Sequence, residues 1–316
     1  MRYPLLRRII DNYKTWKLYK YYSKRNPGAG NSEPWLIYMA DGRMLHGGLS
    51  DRLSGIISAY TYCKKHNLVF KINFISPYAL DDILIPHMYD WRISPEELSY
   101  NSNDSIPLYL SVYSFNPKAV NHYFERKLGD LHKKQIHLYT NARLFQENDF
   151  HILFSELFKP VPRLERIIKD NLKSLPAHYI SITFRFQQLI GDFKEDGFPV
   201  LKSEYEKNRL IEKCISCVKQ LHDDTQKTIL VTSDSKTFLE KVSALDYVYV
   251  VPGKIRHLDY NREKDVDIAV DMKSFVDLYL LANSEHLYLY SAKPLYDSGF
   301  PKTASFILNR PFSNLK

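Results

Sequence analysis

From about residue 163 onward, short apolar runs alternate with helical stretches, and this alternation constrains the fold more than any single motif does. Helical spacing over residues 164–172 leads to an apolar run at 179–185. A second helical stretch, 205–221, leads to a run at 228–232, and a short one at 236–242 leads to 247–251. A fourth, near 274–282, leads to 286–290, and a last helix begins near Pro301. Four strands separated by helices predict a doubly wound parallel sheet, because parallel neighbours need a crossover that a helix supplies. In such sheets ligands sit outside the carboxyl ends of the strands.

The first half of the chain carries the same signal once. An apolar run at 35–40 precedes His46-Gly47-Gly48-Leu49-Ser50-Asp51-Arg52, after which Leu53, Ile56, Ile57, Tyr60 and Lys64 recur at helical spacing. Ser50 is the expected N-cap and Asn67 the stop, which puts Asp51 and Arg52 in the first turn at the positive end of the helix dipole. An alternating strand at 68–75 completes a βαβ unit. Read plainly, this is a glycine turn and a capped helix. Read as a site, Gly47 and Gly48 let main-chain N–H groups approach a ligand without a Cβ in the way. Residues 76–162 are less regular, with candidate strands at 109–113 and 136–139 and a break at Pro160-Val161-Pro162. The expected division is therefore a basic arm and linker over 1–32, a Rossmann-like domain over 33–162 and a second over 163–316.

Charge separates the arm from the rest. Residues 1–25 hold eight Lys and Arg against the single acid Asp11, so +7 of the chain's formal +8 lies there. The remainder is close to neutral, which argues against nucleic acid as a partner, since such a domain spreads its basic residues over the folded surface that follows the phosphates. Drawn as a helix, Leu5, Leu6, Ile9, Tyr13 and Trp16 share one side, as expected for a segment lying on an anionic membrane surface. A solvated or partner-bound basic arm is the plainer alternative. The arm has no apolar stretch of the length a signal peptide or a membrane span needs, so the expected location is the inner face of the cytoplasmic membrane, bound peripherally. Residues 26–32, with Pro27, Gly28 and Gly30, read as a flexible linker. The 24 tyrosines fit either half-exposed grooves or a tyrosine-rich core. Cys63, Cys214 and Cys217 are an odd number with no second pair to complete a metal site, as expected of buried thiols in a reducing compartment.

The strand ends supply the chemistry. Arg185 offers a planar fork of donors suited to phosphate, and the nearest following carboxylate in sequence is Asp192. Asp234, just past a strand, is placed either to accept from a ribose or base or to cap the next helix. Ser298-Gly299 opens a helix whose free N–H groups suit an anion, although a plain N-cap serine has the same pattern. In order, Gly47-Gly-Leu-Ser-Asp-Arg52, Thr183-Phe-Arg185, Thr232-Ser-Asp234, Val276-Asp-Leu-Tyr-Leu-Leu281 and Ser298-Gly-Phe-Pro-Lys-Thr-Ala304 resemble the fucosyltransferase superfamily, over about residues 36–308.

The resemblance implies a GT-B fold, two Rossmann-like domains facing a cleft, and an inverting transferase that uses GDP-fucose as donor substrate with no cofactor and no metal. It implies that Arg185 holds the donor β-phosphate in a His-x-Arg motif whose His is here Thr183. Ser233 and Asp234 stand in the Thr-Asp-Asp-like motif, and Asp277 with Ser298, or Ser291 as a second choice, contacts the nucleotide. Gly47, Gly48 and Arg52 complete the donor-side set. Ser50 and Asp51 depart from the family's Gly-Asn at the loop, and together with Thr183 they leave another GDP-sugar as an alternative donor. A binding protein that keeps the fold without turnover is a further alternative. Inversion calls for a base near the acceptor hydroxyl; Asp51 is the first choice and His46 the second. Asp265 and Asp267 have the spacing of a metal pair but follow a charged run, which reads as a solvated loop. The expected acceptor is a glycan of bacterial surface polysaccharide, and the basic arm fits a lipid-linked one.

Overall fold

Apolar runs too short for helices become the parallel strands of two sheets. In the computed structural model, residues 3–111, 117–129, 132–192, 199–253 and 268–316 are described. The chain divides into two compact units, Met1–Lys159 and Pro160–Lys316. Asp265 and Asp267 lie outside the described residues.

The first unit contains helices α1 (Tyr3–Leu18), α2 (Leu49–His66), α3 (Pro117–Gly129) and α4 (Phe150–Leu157), and strands β1 (Trp35–Ala40), β2 (Val69–Phe74), β3 (Leu84–Pro86), β4 (Ser105–Leu110), β5 (Gln135–Thr140) and β6 (Phe158–Pro160). Four of the strands form a parallel sheet in the order β2-β1-β5-β4. Residues 36–40 of β1 are buried without interruption, as a central parallel strand covered on both faces requires. Helix α2 buries Leu53, Ile56, Ile57 and Tyr60 and ends at Asn67, whose left-handed backbone (φ 52°) returns its N–H to the carbonyl of Cys63. Its N-cap is Gly48 and not Ser50, which sits buried one residue inside the helix.

The segment from α1 to Asn31 packs on the first unit. Asp11 on α1 accepts from the backbone N–H of Ser111, from its hydroxyl and from Tyr123 Oη, at 3.1, 2.6 and 3.1 Å. Thr15 accepts from the N–H of Tyr109, and Leu18 is fully buried in a cluster with Ile37, Met39, Tyr109 and Tyr139. The helix thus covers the edge of β4. The expected flexible linker is pinned as well: Ala29 N–H donates to Asp104, and the Asn26 and Asn31 side chains donate to the carbonyls of Tyr100 and Lys134. Hydrogen bonding to residues about 75 to 105 positions away fixes what composition alone reads as loose.

The second unit contains α5 (Pro162–Lys173), β7 (Ile180–Phe184), α6 (Glu204–Thr225), β8 (Ile229–Ser233), α7 (Lys236–Val242), β9 (Val248–Tyr249), α8 (Ile268–Asn283), β10 (Leu287–Tyr290), α9 (Gly299–Ile307) and β11 (Phe312–Leu315). All five strands run parallel in the order β11-β10-β7-β8-β9. Along β7, Ile180, Ile182 and Phe184 pack with Cys214 and Val218 of α6 and Phe238 of α7. The alternate residues face the other way, where the Ser181 hydroxyl meets that of Ser284 at the end of α8. The sheet is therefore covered on both faces. From β7 the order runs outward through β8 and β9, then returns to place β10 on the other side of β7. That reversal is the switch point at which doubly wound sheets open a binding crevice. The fifth strand, β11, was not expected; it is four residues long and half polar, and its partner among the described residues is β10.

One glycine sets the packing of α2. A Cβ on Gly55 would lie 2.1 Å from the carbonyl oxygen of Thr140 and 2.9 Å from the Tyr38 ring. Gly55→Ala should cost about 1–3 kcal/mol by overpacking and lower Tm by about 2–4 °C per kcal/mol. Gly30→Ala, where a Cβ meets nothing within 4 Å, should leave Tm unchanged in the same thermal scan.

Candidate active site

At the switch point of the second unit, the chain leaves β7 through Arg185, Phe186 and Gln187, and a carboxylate 47 or more residues away organises all three. Asp234, just past β8, accepts from the N–H groups of Phe186 and Gln187, each at 2.7 Å, and its Oδ2 lies 2.9 Å from Arg185 Nη1. Asp234 is 3% exposed at its side chain and Arg185 20%, so the carboxylate is interior while the guanidinium reaches solvent. Burial holds the Asp234 carboxyl above its ordinary range, against the opposing pull of Arg185 and the two amides. Gln187 takes a left-handed backbone (φ 53°) that a side chain seldom adopts, and its bond to Asp234 helps to hold it there.

Asp234 does not cap the following helix; its carboxylate is bonded to the two amides and to Arg185. Ser235 is the cap of α7, accepting from Phe238 N–H, and Asp192 braces that cap through Ser235 and Thr237. Nor is Asp192 the carboxylate that matters to Arg185; Asp234 is, and strand adjacency brings it there. The Thr183 hydroxyl pairs with that of Thr232 at 2.7 Å, directly opposite on β8, as a buried cross-strand bond.

The loop after β10 closes the other side. Tyr296 N–H donates to the carbonyl of Arg185, which seats the approach to α9 against the end of β7. Ser298 caps α9 by accepting from Phe300 N–H, so the helix's N-terminal amides lie on the loop that is tied to Arg185. Ser291 points elsewhere, donating to Asn314 on β11, and Ser233 accepts from Ser235 N–H. Asp277 lies on α8, which packs against β8, α5 and α9. Its Oδ2 takes Lys273 Nζ at 2.5 Å, and its buried Oδ1 has no hydrogen-bond partner among the described residues. Burial raises the Asp277 carboxyl, opposed by Lys273. A buried acceptor left open is costly unless a ligand fills it. Lys273 was missed in the sequence, although its spacing of four from Asp277 on a helix is the signal that finds it.

The glycine loop belongs to the first unit. Gly47 has φ +85°, and a Cβ there would fall 2.3 Å from Asp51 Oδ2. Gly48 needs no such freedom, since a Cβ on it meets nothing within 4 Å. Arg52, expected on the donor side, is a buried clamp: Nε donates to the carbonyl of Gly47 and Nη1 to that of Ser76, with the guanidinium over the Phe74 ring. His46 is buried against Tyr38 and Tyr139, and its Nε2 is enclosed with no partner among the described residues. Burial, then Arg52, lowers its pKa to about 3, which makes it a poor base. Asp51 is exposed.

No protein-family profile matches the sequence, and no curated protein matches it. Solved structures do. NodZ α-1,6-fucosyltransferase from Bradyrhizobium, co-crystallised with GDP, superimposes with a TM-score of 0.55 at 13% identity, over 87% of this chain and 92% of that one. Arabidopsis thaliana FUT1 in complex with GDP gives 0.56 at 14% identity, over 96% and 74%. POFUT1 in complex with GDP gives 0.51 at 10% identity, over 91% and 99%. The chain has the α/β fold of these GT-B fucosyltransferases, the fold that the order of its motifs implied.

Replacing Asp234 by Asn keeps the shape but removes the charge from Arg185 and sets an amide against two backbone donors. Asp234→Asn should cost about 2–3 kcal/mol, below the value for a fully buried pair because the guanidinium is a fifth exposed. A urea midpoint equal to that of the wild type would show that Asp234 does not organise the loop.

Proposed function

We propose that the protein is an inverting glycosyltransferase that moves fucose from GDP-fucose to a glycan acceptor, with Arg185 as the main stabiliser of the departing diphosphate. The observation that carries this reading is the place of Arg185: at the end of β7, at the switch point, tied through its carbonyl to the loop that opens α9, in a fold shared with GDP-bound fucosyltransferases. As the bond from the anomeric carbon to the β-phosphate oxygen breaks, negative charge grows on that oxygen. A positioned guanidinium and helix N-terminal amides meet it without reorganising. The acceptor oxygen attacks the opposite face of the anomeric carbon, and its proton passes to a base. Asp51 keeps that role, because His46 is enclosed and weakly basic.

The way two of the nearby carboxylates are used supports a reaction without a metal. A hard divalent ion bridging a diphosphate takes one or two carboxylates, and here Asp234 is committed to Arg185 and two amides while Asp277 is paired with Lys273. The open Oδ1 of Asp277 suits an N–H of the base or a ribose hydroxyl. A second reading, the same chemistry with another GDP-sugar, is supported by Thr183, which stands in place of a histidine and is turned into the sheet.

GDP release in excess EDTA, with GDP-fucose or GDP-mannose and a panel of glycan acceptors, tests these statements together. Release should occur with GDP-fucose. Arg185→Lys should lower kcat/KM by about 10²-fold, and Asp51→Asn should lower kcat by about 10²-fold or more while GDP binding is kept. Activity that requires Mg²⁺ or Mn²⁺, or an Arg185→Lys enzyme near wild-type turnover, would remove Arg185 from this role. Release from GDP-mannose alone would select the second reading.

A further inference from the structure

Helix α1 is amphipathic in the inverted sense. Its polar residues Asp11 and Thr15 face the protein, bonded to Ser111, Tyr123 and Tyr109, and Lys14 donates to Tyr109 Oη on the same side. The opposite face carries Ile9, Tyr13 and Trp16, which recur at i, i+4 and i+7 and are 57%, 52% and 68% exposed. A surface helix ordinarily buries its apolar stripe and turns polar residues outward. Here the buried Asp11 clamp fixes the rotation the other way round, and a large aromatic stripe is held in solvent.

We propose that this face of α1 is a docking surface for an anionic lipid bilayer. The stripe is paired with cations: the Tyr13 and Trp16 rings stack with centroids 6.0 Å apart, Lys17 Nζ lies 4.6 Å from the Tyr13 centroid and Lys20 Nζ 4.9 Å from that of Tyr21. Lys17, Lys20, Lys24 and Arg25 are all exposed. The one acid of the segment, Asp11, is buried on the far side, and the next in sequence is Glu33, so the helix itself turns cations and no carboxylate outward. Tyr and Trp rings with neighbouring Lys suit the headgroup boundary, where the ring enters the interface and the ammonium remains among the phosphates. A protein partner fits less well, since the centres of protein interfaces are depleted in Lys. No helix among the described residues is long and apolar enough to cross a membrane, so docking through α1 would be peripheral.

The test uses the full chain with vesicles of phosphatidylcholine, alone or with phosphatidylglycerol. The wild type should sediment with the anionic vesicles at low salt, remain free of the neutral ones, and show a blue shift of tryptophan emission that Trp16→Ser abolishes. Tyr13→Ser with Trp16→Ser, and separately Lys17→Glu with Lys20→Glu, should each weaken binding about tenfold or more. Their melting curves should match the wild type, because these side chains are exposed. Wild-type protein that ignores anionic vesicles, variants that bind as well as it does, or a dimer in size-exclusion chromatography that Tyr13→Ser/Trp16→Ser disperses would each overturn the proposal. None of these readouts depends on sugar transfer, so they stand or fall apart from the donor assignment.

Discussion

The capture of Arg185 and two backbone amides by Asp234 is the interaction on which the candidate site of the second unit depends. Parallel strands deliver their carboxyl ends to one edge of the sheet, but they do not aim the side chains found there. Asp234, buried just past β8, fixes both the path of the chain leaving β7 and the direction of the guanidinium, and it does so with three donors on one carboxylate. The Arg185 carbonyl then receives Tyr296 N–H and brings the α9 loop alongside. A phosphate arriving at this edge would find its cation and its helix terminus already set, which is the kind of preorganisation that electrostatic stabilisation of a leaving group requires.

Much of this was legible in the sequence because it rests on periodicity. The apolar runs that became β7, β8 and β10 stood out between helical stretches, and the helix at residues 236–242 has the bounds the pattern gave it. Tertiary partners were not legible. Asp234 read as a cap or a nucleotide contact because its true partners, Phe186 and Gln187, are nearly fifty residues away. Thr183 read as a donor contact because a motif position says nothing about which face of a strand a side chain takes, and here it faces Thr232. Arg52, read as a ligand for the donor, is instead the buried tie between the Gly47 loop and Ser76. Strand β11 escaped notice because an edge strand with Ser313 and Asn314 in it has neither length nor apolar alternation.

The N-terminal helix shows how one residue changes the meaning of a pattern. Its apolar side was visible in the sequence as Ile9, Tyr13 and Trp16, and its charge as an excess of Lys and Arg. What could not be read there is that Asp11, the sole acid, is an anchor with three donors on β4's outgoing chain and α3. That anchor turns a segment expected to be loose into part of the first unit and commits its aromatic face to the outside.

A crystal structure of the protein soaked with GDP tests the central claim most directly. The β-phosphate should lie within hydrogen-bond reach of Arg185 and of the first amides of α9, with the nucleoside against Asp277 Oδ1 and the Asp234 bonds to Phe186 and Gln187 intact. GDP bound away from the ends of β7 and β10, or a diphosphate held by a carboxylate-bridged metal with Arg185 uninvolved, would contradict it.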